Sequence, residues 1–259
     1  MAALRDVVVR FAADRDLLRR FWNVPGSRTR AEKQRAFFAA WLRSLPKIDF
    51  DRLSQEGKVD YVLLRNRIEY ELALVDRDVR LLEAVAPLLP FAQDIAGLQE
   101  DRQKLDFIQP DAAAAAARKI AEKLGAARAA VAAGKLTAKP GTAVKAVRQL
   151  DALRTSLNDW YAFYNGYDPE FTAKVPAAYE ALNVALDAYA ALIRDKLAGV
   201  PPGVAIGRRQ SAGGGGRGGG QGGAGSAPAA DLGRPLVLGE PIIGDPVGRE
   251  GLLEDLKAE

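Results

Sequence analysis

The chain of 259 residues contains no histidine and no cysteine. Without histidine there is no imidazole general base, no Ser-His-Asp arrangement, and none of the commonest ligand of catalytic zinc. Without cysteine there are no disulfides and no thiolate chemistry, and the redox compartment stays open. Carboxylate-only magnesium or calcium sites remain chemically open, but no EF-hand loop is present. No apolar run approaches the ~20 residues of a membrane span. The opening MAALRDVVVRF places acids and arginines where a signal peptide needs an apolar centre. The expectation is a cytoplasmic chain as written, or a periplasmic or exported one if an upstream signal was lost.

A large excess of either charge is also lacking. The formal net charge is +4, weak for a nucleic-acid binder of this size. It is uneven: residues 1–50 hold eleven Lys/Arg against five Asp/Glu, and residues 231–259 hold three against seven. Arginines on solvated helix faces account for the basic end, with an acidic partner surface as the alternative.

What is abundant is helical periodicity. Leu4, Val7, Val8, Phe11, Leu18, Phe21 and Trp22 mark a first helix over 3–22. NVPGS breaks it. Thr29 and Glu32 predict a capping box for a second helix, striped by Phe37, Phe38, Trp41, Leu42 and Leu45 and ended by Pro46. The longest helix is expected over 54–84, with Tyr61, Leu64, Ile68, Leu72, Val75, Val79 and Leu82 on one face. Arg65 with Glu69, and Asp76 with Arg80, are spaced for ion pairs along its edge. PLLPF, 87–91, reads as a turn before a short helix reaching about Leu105.

Pro110 starts the next helix and Gly134 follows its end. Its run Ala112–Ala117 favours helix but offers few large side chains, so a peripheral helix packed through alanines is expected. Val144, Val147, Leu150, Leu153, Leu157, Trp160 and Tyr164 stripe a helix over 141–165. A last helix spans 169–198, with Pro176 able to shift its start towards Val175 and Gly199 as its cap. No long segment alternates with period two; PLVLGEPII, 235–243, is the one extended candidate. The fold class is all-α, an antiparallel array of about seven helices.

Residues 201–230 hold twelve of the 25 glycines. Such a stretch cannot bury enough apolar surface to offset its ordering entropy, so a disordered loop is expected. The domain reading is a helical domain over 1–200, a Gly-rich flexible loop over 201–234, and the start of a C-terminal segment over 235–259.

WYAFYNGYDPEF, 160–171, gathers six of the nineteen aromatic rings. Gly166 suits a helix end, and Asp168 before Pro169 suits a helix start. The stretch reads as a tight helix corner clasped by rings, with a ligand-cleft wall as the alternative. Asp159, Asp168 and Glu170 argue against nucleic-acid stacking there.

Three stretches together carry a resemblance: LSQEGKVDYVLLRNRIEYEL (53–72), LNDWYAFYNGYDPEF (157–171) and GDPVGREGLLEDL (244–256), supported by APLLPFAQDIAGL (86–98). With them the chain resembles the N-terminal half of the bacterial domain-of-unknown-function 885 family, from about Leu17 onward, with the Gly-rich stretch as an insertion. The resemblance implies a helical, zinc-metallopeptidase-like protein about twice this length. Its His-Glu motif and further histidines would lie in a C-terminal half, where zinc activates a water and a glutamate acts as base. None of those residues has a counterpart here, and the segment over 235–259 reads as truncated.

The expectation is therefore an N-terminal helical, cleft-shaping scaffold, inactive alone. Zinc would belong to the missing half, and the partner would be that catalytic half in cis or in trans. The implied substrate class is a peptide. Substrate-cleft candidates are Arg65 and Asn66 in the RNRIEYEL segment, and Tyr164, Asn165 and Tyr167 at the corner. Arg65 offers a planar fork to a carboxylate, or else a salt bridge to Glu69. Tyrosine and asparagine offer hydrogen bonds to a peptide backbone, or else corner packing and a helix cap. The alternative is a stand-alone helical protein-interaction module without enzymatic activity.

Overall fold

The structure, a computed structural model, describes residues 4–200 together with Leu252, Leu253, Asp255 and Leu256. The Gly-rich stretch and PLVLGEPII lie outside the described residues. Among those described, the fold is an all-α packed array of eight α-helices with no strand. The order is α1 (Arg5–Phe21), α2 (Arg28–Ser44), α3 (Gln55–Val85), α4 (Ala92–Gln103), α5 (Pro110–Ala132), α6 (Pro140–Tyr164), α7 (Pro169–Lys174) and α8 (Pro176–Ile193). The eighth helix arises because Pro176 does more than shift a start. It ends α7 at Lys174 and opens α8 as its first residue, since its ring blocks the preceding turn.

Two apolar cores organise the array. Phe11, Phe38, Leu45, Leu64, Ile68 and Val75 close the smaller one between α1, α2 and α3. The larger one gathers buried side chains from α4 to α8 around Leu150, Leu153, Trp160 and Leu186. Helix α3, 31 residues and so ~46 Å long, serves both. Its middle lines the first core, and Val85 at its end enters the second.

The alanine-rich α5 is not peripheral. It packs along α8 and also meets α7 and α4. Ala113, Ala114 and Ala117 permit close approach, while Ile120, Leu124 and Val131 fill the core. Small residues at one end and large ones at the other let the helix lie near its neighbours without a void.

The turn PLLPF is buried rather than superficial. Leu88, Leu89 and Phe91 are all core residues. The Tyr189 hydroxyl of α8 donates to the Leu88 carbonyl at 2.7 Å, so the buried backbone keeps a partner. No helix among the described residues is long and apolar enough to cross a membrane.

Candidate functional site at the helical seam

The smaller and larger cores meet along a seam that begins in NVPGS. Gly26 there has φ +74°, and a Cβ at this position would stand 1.8 Å from Gln149 Nε2 of α6. Glycine is needed twice over, for the left-handed backbone and for the close approach. Ser27 is the N-cap of α2, accepting from the Arg30 amide at 2.9 Å. It displaces the capping box expected from Thr29 and Glu32, because the helix starts two residues earlier. The Ser27 hydroxyl also donates to the buried Glu100 of α4. Gln93 completes the tie: its Nε2 donates to the Gly26 carbonyl at 2.8 Å, and its Oε1 accepts from the Arg28 amide at 3.0 Å.

Three cavities follow this seam. One of about 200 Å³ lies between α2, α3 and α6, beside Arg30, Gln34, Asp78 and Gln149. A second, of about 310 Å³, shares Leu82 and Gln149 with it and reaches Asp94 and Lys123. A third, of about 320 Å³, shares Ala31 and Leu82 and reaches Arg28 and Arg35. Lys123 and Asp94 close an ion pair at 2.6 Å in the second, and Arg35, in the wall of the third, donates to Asp76. The first cavity differs. Among the described residues Arg30 and Asp78 form no direct ion pair, although they sense each other's charge. Loss of solvent lowers the pKa of the Arg30 guanidinium and raises that of the Asp78 carboxyl, and their mutual attraction only partly offsets it. The Gln149 Nε2 group is buried with no hydrogen-bond partner among the described residues.

The residues singled out in the sequence fall elsewhere and in two places. Arg65 and Asn66 are exposed on α3. Arg65 donates to Glu69 at 2.9 Å, and that bond raises the pKa of its guanidinium. The edge pair Asp76–Arg80 is replaced by Arg35 of α2 on Asp76, a tertiary partner outcompeting a local one. Beside Arg65 is a shallow cavity walled by Leu42, Leu45, Pro46 and Tyr61. Tyr164, Asn165 and Tyr167 sit at the α6–α7 corner and do not line it.

At that corner Gly166 has φ +85°, and Asp168 Oδ1 accepts from the Glu170 and Phe171 amides at 2.9 and 3.2 Å. Trp160 and Phe171 are fully buried and meet edge-on at 5.4 Å. Tyr164 packs on both; burial, with Asp101 and Asp106 nearby, raises the pKa of its phenol despite Arg102. Asn165 is the helix C-cap. Tyr167 alone stands free, 86% exposed. The ring cluster is thus mostly a clasp, with Phe163 packed edge-on against Tyr164 at its rim and Tyr167 outside it.

The chain matches no known protein family, no curated protein and no solved structure.

The residues present do not fit a zinc centre. Histidine and cysteine are lacking throughout, and no group of three or more Asp or Glu among the described residues is placed to hold a metal. The acidic group that sequence reasoning missed is Glu71. It is 2% exposed and receives Arg19 at 2.6 Å and Arg67 at 2.8 Å, with Arg15 at 3.9 Å. A signal existed: Glu71 falls between Ile68 and Val75, on the apolar stripe itself. Its role is to bolt α1 onto α3.

Proposed function

We propose that this chain is a non-catalytic helical scaffold that docks a second folded unit along the outer face of α3. The carrying observation is an uncovered apolar stripe. Val59, Val62 and Leu63 stand 49%, 47% and 60% exposed at helical spacing. Contiguous apolar surface of this kind marks an interaction site more often than solvent-facing decoration. The stripe falls within LSQEGKVDYVLLRNRIEYEL, the first of the resembling stretches. Asp255, in the third, pairs with Arg77 of the same helix at 3.5 Å. The resemblance implies a docked unit that is the histidine-bearing catalytic half of a metallopeptidase-like hydrolase, supplied in cis or in trans. Zinc and the general base belong to that unit, and Arg65 and Asn66, beside the stripe, face its substrate peptide.

The test combines the purified chain with such a catalytic half, zinc and a peptide panel. Hydrolysis and co-elution are expected from the mixture only. Val62→Asp with Leu63→Asp abolishes co-elution and, as an exposed change, shifts stability by less than ~0.5 kcal/mol. Hydrolysis by the chain alone, or unchanged co-elution of the double variant, overturns the reading. The second reading, a stand-alone interaction module, is favoured by the hydrogen bonds of Ser27, Gln93 and Glu100 that tie the seam within the chain. It predicts cooperative melting and no affinity for the catalytic half.

A further inference from the structure

Helix α1 uses one of its faces in the fold. Leu4 and Phe11 are buried against α2 and α3, with Val7 and Val8 packed beside them. The opposite face is centred on Ala13, which is exposed. At ~100° per residue, Asp6, Val9, Arg10, Asp16, Leu17 and Arg20 fall within ~60° of it, and all six are exposed. Val9 and Leu17 leave 60% and 59% of their surface in solvent, and Phe21, 48% exposed, prolongs the apolar edge. The pattern is symmetric about its centre. Val9 and Leu17 stand four residues either side of Ala13, and Asp6 and Arg20 stand seven either side. The other charges on this face are matched within the chain: Arg10 pairs with Asp14 at 3.6 Å and Asp16 with Arg15 at 3.0 Å. Asp6 and Arg20 have no ion-pair partner among the described residues; Arg20 donates to the backbone carbonyl of Asp16 at 3.3 Å.

We propose that this face joins two copies of the chain, α1 packing antiparallel on α1 about a two-fold axis beside Ala13. Such an axis sets each residue level with the one equally far beyond Ala13 on the second copy. Asp6 of one copy then meets Arg20 of the other, and symmetry makes the pair twice. Val9 and Leu17 come level in the same way, and the small Ala13 lets the two backbones approach at the crossing. Charge selects the direction. Parallel packing would set Asp6 against Asp6 and Arg20 against Arg20, which repel. An unrelated partner has no need of a face whose charges reverse about its own centre, whereas a second copy does. One face of a 17-residue helix belongs with the weak, transient interfaces below ~1,200 Å² in total, so the dimer forms at high concentration.

The experiment is sedimentation equilibrium of the full chain from ~10 μM to ~1 mM, where mass action populates a weak dimer. The mean mass is expected to climb from one copy towards two and no further. Asp6→Arg and Arg20→Asp are each expected to raise the dissociation constant about tenfold, because two attractions per dimer become two repulsions. An equimolar mixture of the two variants is expected to restore dimers, since each chain then carries the charge that the other lacks. Misfolding cannot produce loss in each variant and rescue on mixing. Leu17→Asp is expected to abolish the dimer without lowering the melting temperature, and Val62→Asp with Leu63→Asp to leave it intact. A folded chain that stays monomeric at the highest concentration overturns the proposal. So do assemblies larger than two, single-charge variants that dimerise as well as the original, or a mixture that restores nothing. A dimer lost through the α3 changes and kept through Leu17→Asp moves the contact to the α3 stripe and overturns it too. The α3 docking test reads none of these outcomes, so the two conclusions fail separately.

Discussion

The helices α4–α8 and the helices α1–α3 solve the same packing problem with different chemistry. The first group closes around 25 buried apolar residues, with Trp160, Phe91, Phe171 and Tyr189 fully inside. The second closes around nine. The smaller core is supplemented with charge: Glu71 is buried and held by arginines from its own helix and from α1. Burial is non-directional and scales with area, whereas a charge network fixes register but stabilises little beyond its own desolvation. The C-terminal group is therefore the stable platform. The N-terminal group is held in place by a few directional contacts, and it carries the stripe proposed to meet a partner.

The sharpest test of this contrast is Trp160→Ala. Removing a fully buried indole from the clasp should cost about 3–5 kcal/mol, read as a fall in the urea midpoint. A loss under about 1 kcal/mol would mean that the aromatic corner is a cleft wall and not a core. Glu71→Gln tests the other side. It leaves three guanidiniums around a neutral amide and should cost about 2 kcal/mol, because those guanidiniums are partly solvated. Hydrogen exchange should quicken in α1 and leave α6 unchanged. Equal acceleration in both would merge the two groups into one cooperative unit.

How much of this was legible beforehand depends on the range of the interaction. The spans of α3 and α6 follow from their apolar stripes, because a helix facing a core repeats at 3.6 residues wherever it sits. The corner was equally readable: Gly166 and Asp168 act on backbone within a few positions of themselves. The capping box was misplaced, since Ser27 and Thr29 are both competent caps and Glu100, 73 residues away, selects the former. Asp76 was given a partner one turn along, whereas Arg35 reaches it across a helix interface. The seam cavity was illegible for the same reason. Gly26, Arg30, Asp78 and Gln149 share no motif, and only the packing of α2, α3 and α6 brings them together.

Tyr189 gives the platform a fully buried titratable tie. Burial pushes its phenol up to about 12, against an ordinary value of about 10. The native state then keeps a proton that the unfolded state releases. Stability from this group is whole below about pH 10 and is lost as the pH climbs towards 12. Tyr189→Phe should cost about 1 kcal/mol at neutral pH, since the Leu88 carbonyl loses its donor. It should also make the alkaline fall in melting temperature shallower. An unchanged alkaline slope would assign that fall to other groups.

The smallest effect on stability is expected at Arg65, where the question is function. Its side chain is 61% exposed and bonded to Glu69 on the same helix, a pairing too solvated to hold the fold. Arg65→Ala should leave the melting temperature unchanged within error. If α3 is the docking face, the same change should weaken peptide turnover by the reconstituted pair through KM more than through kcat, as loss of a carboxylate clamp does. A fall in melting temperature would return Arg65 to a structural role and remove it from the substrate path. Unchanged stability and unchanged KM would leave the α3 stripe as a docking surface with no part in selecting the peptide.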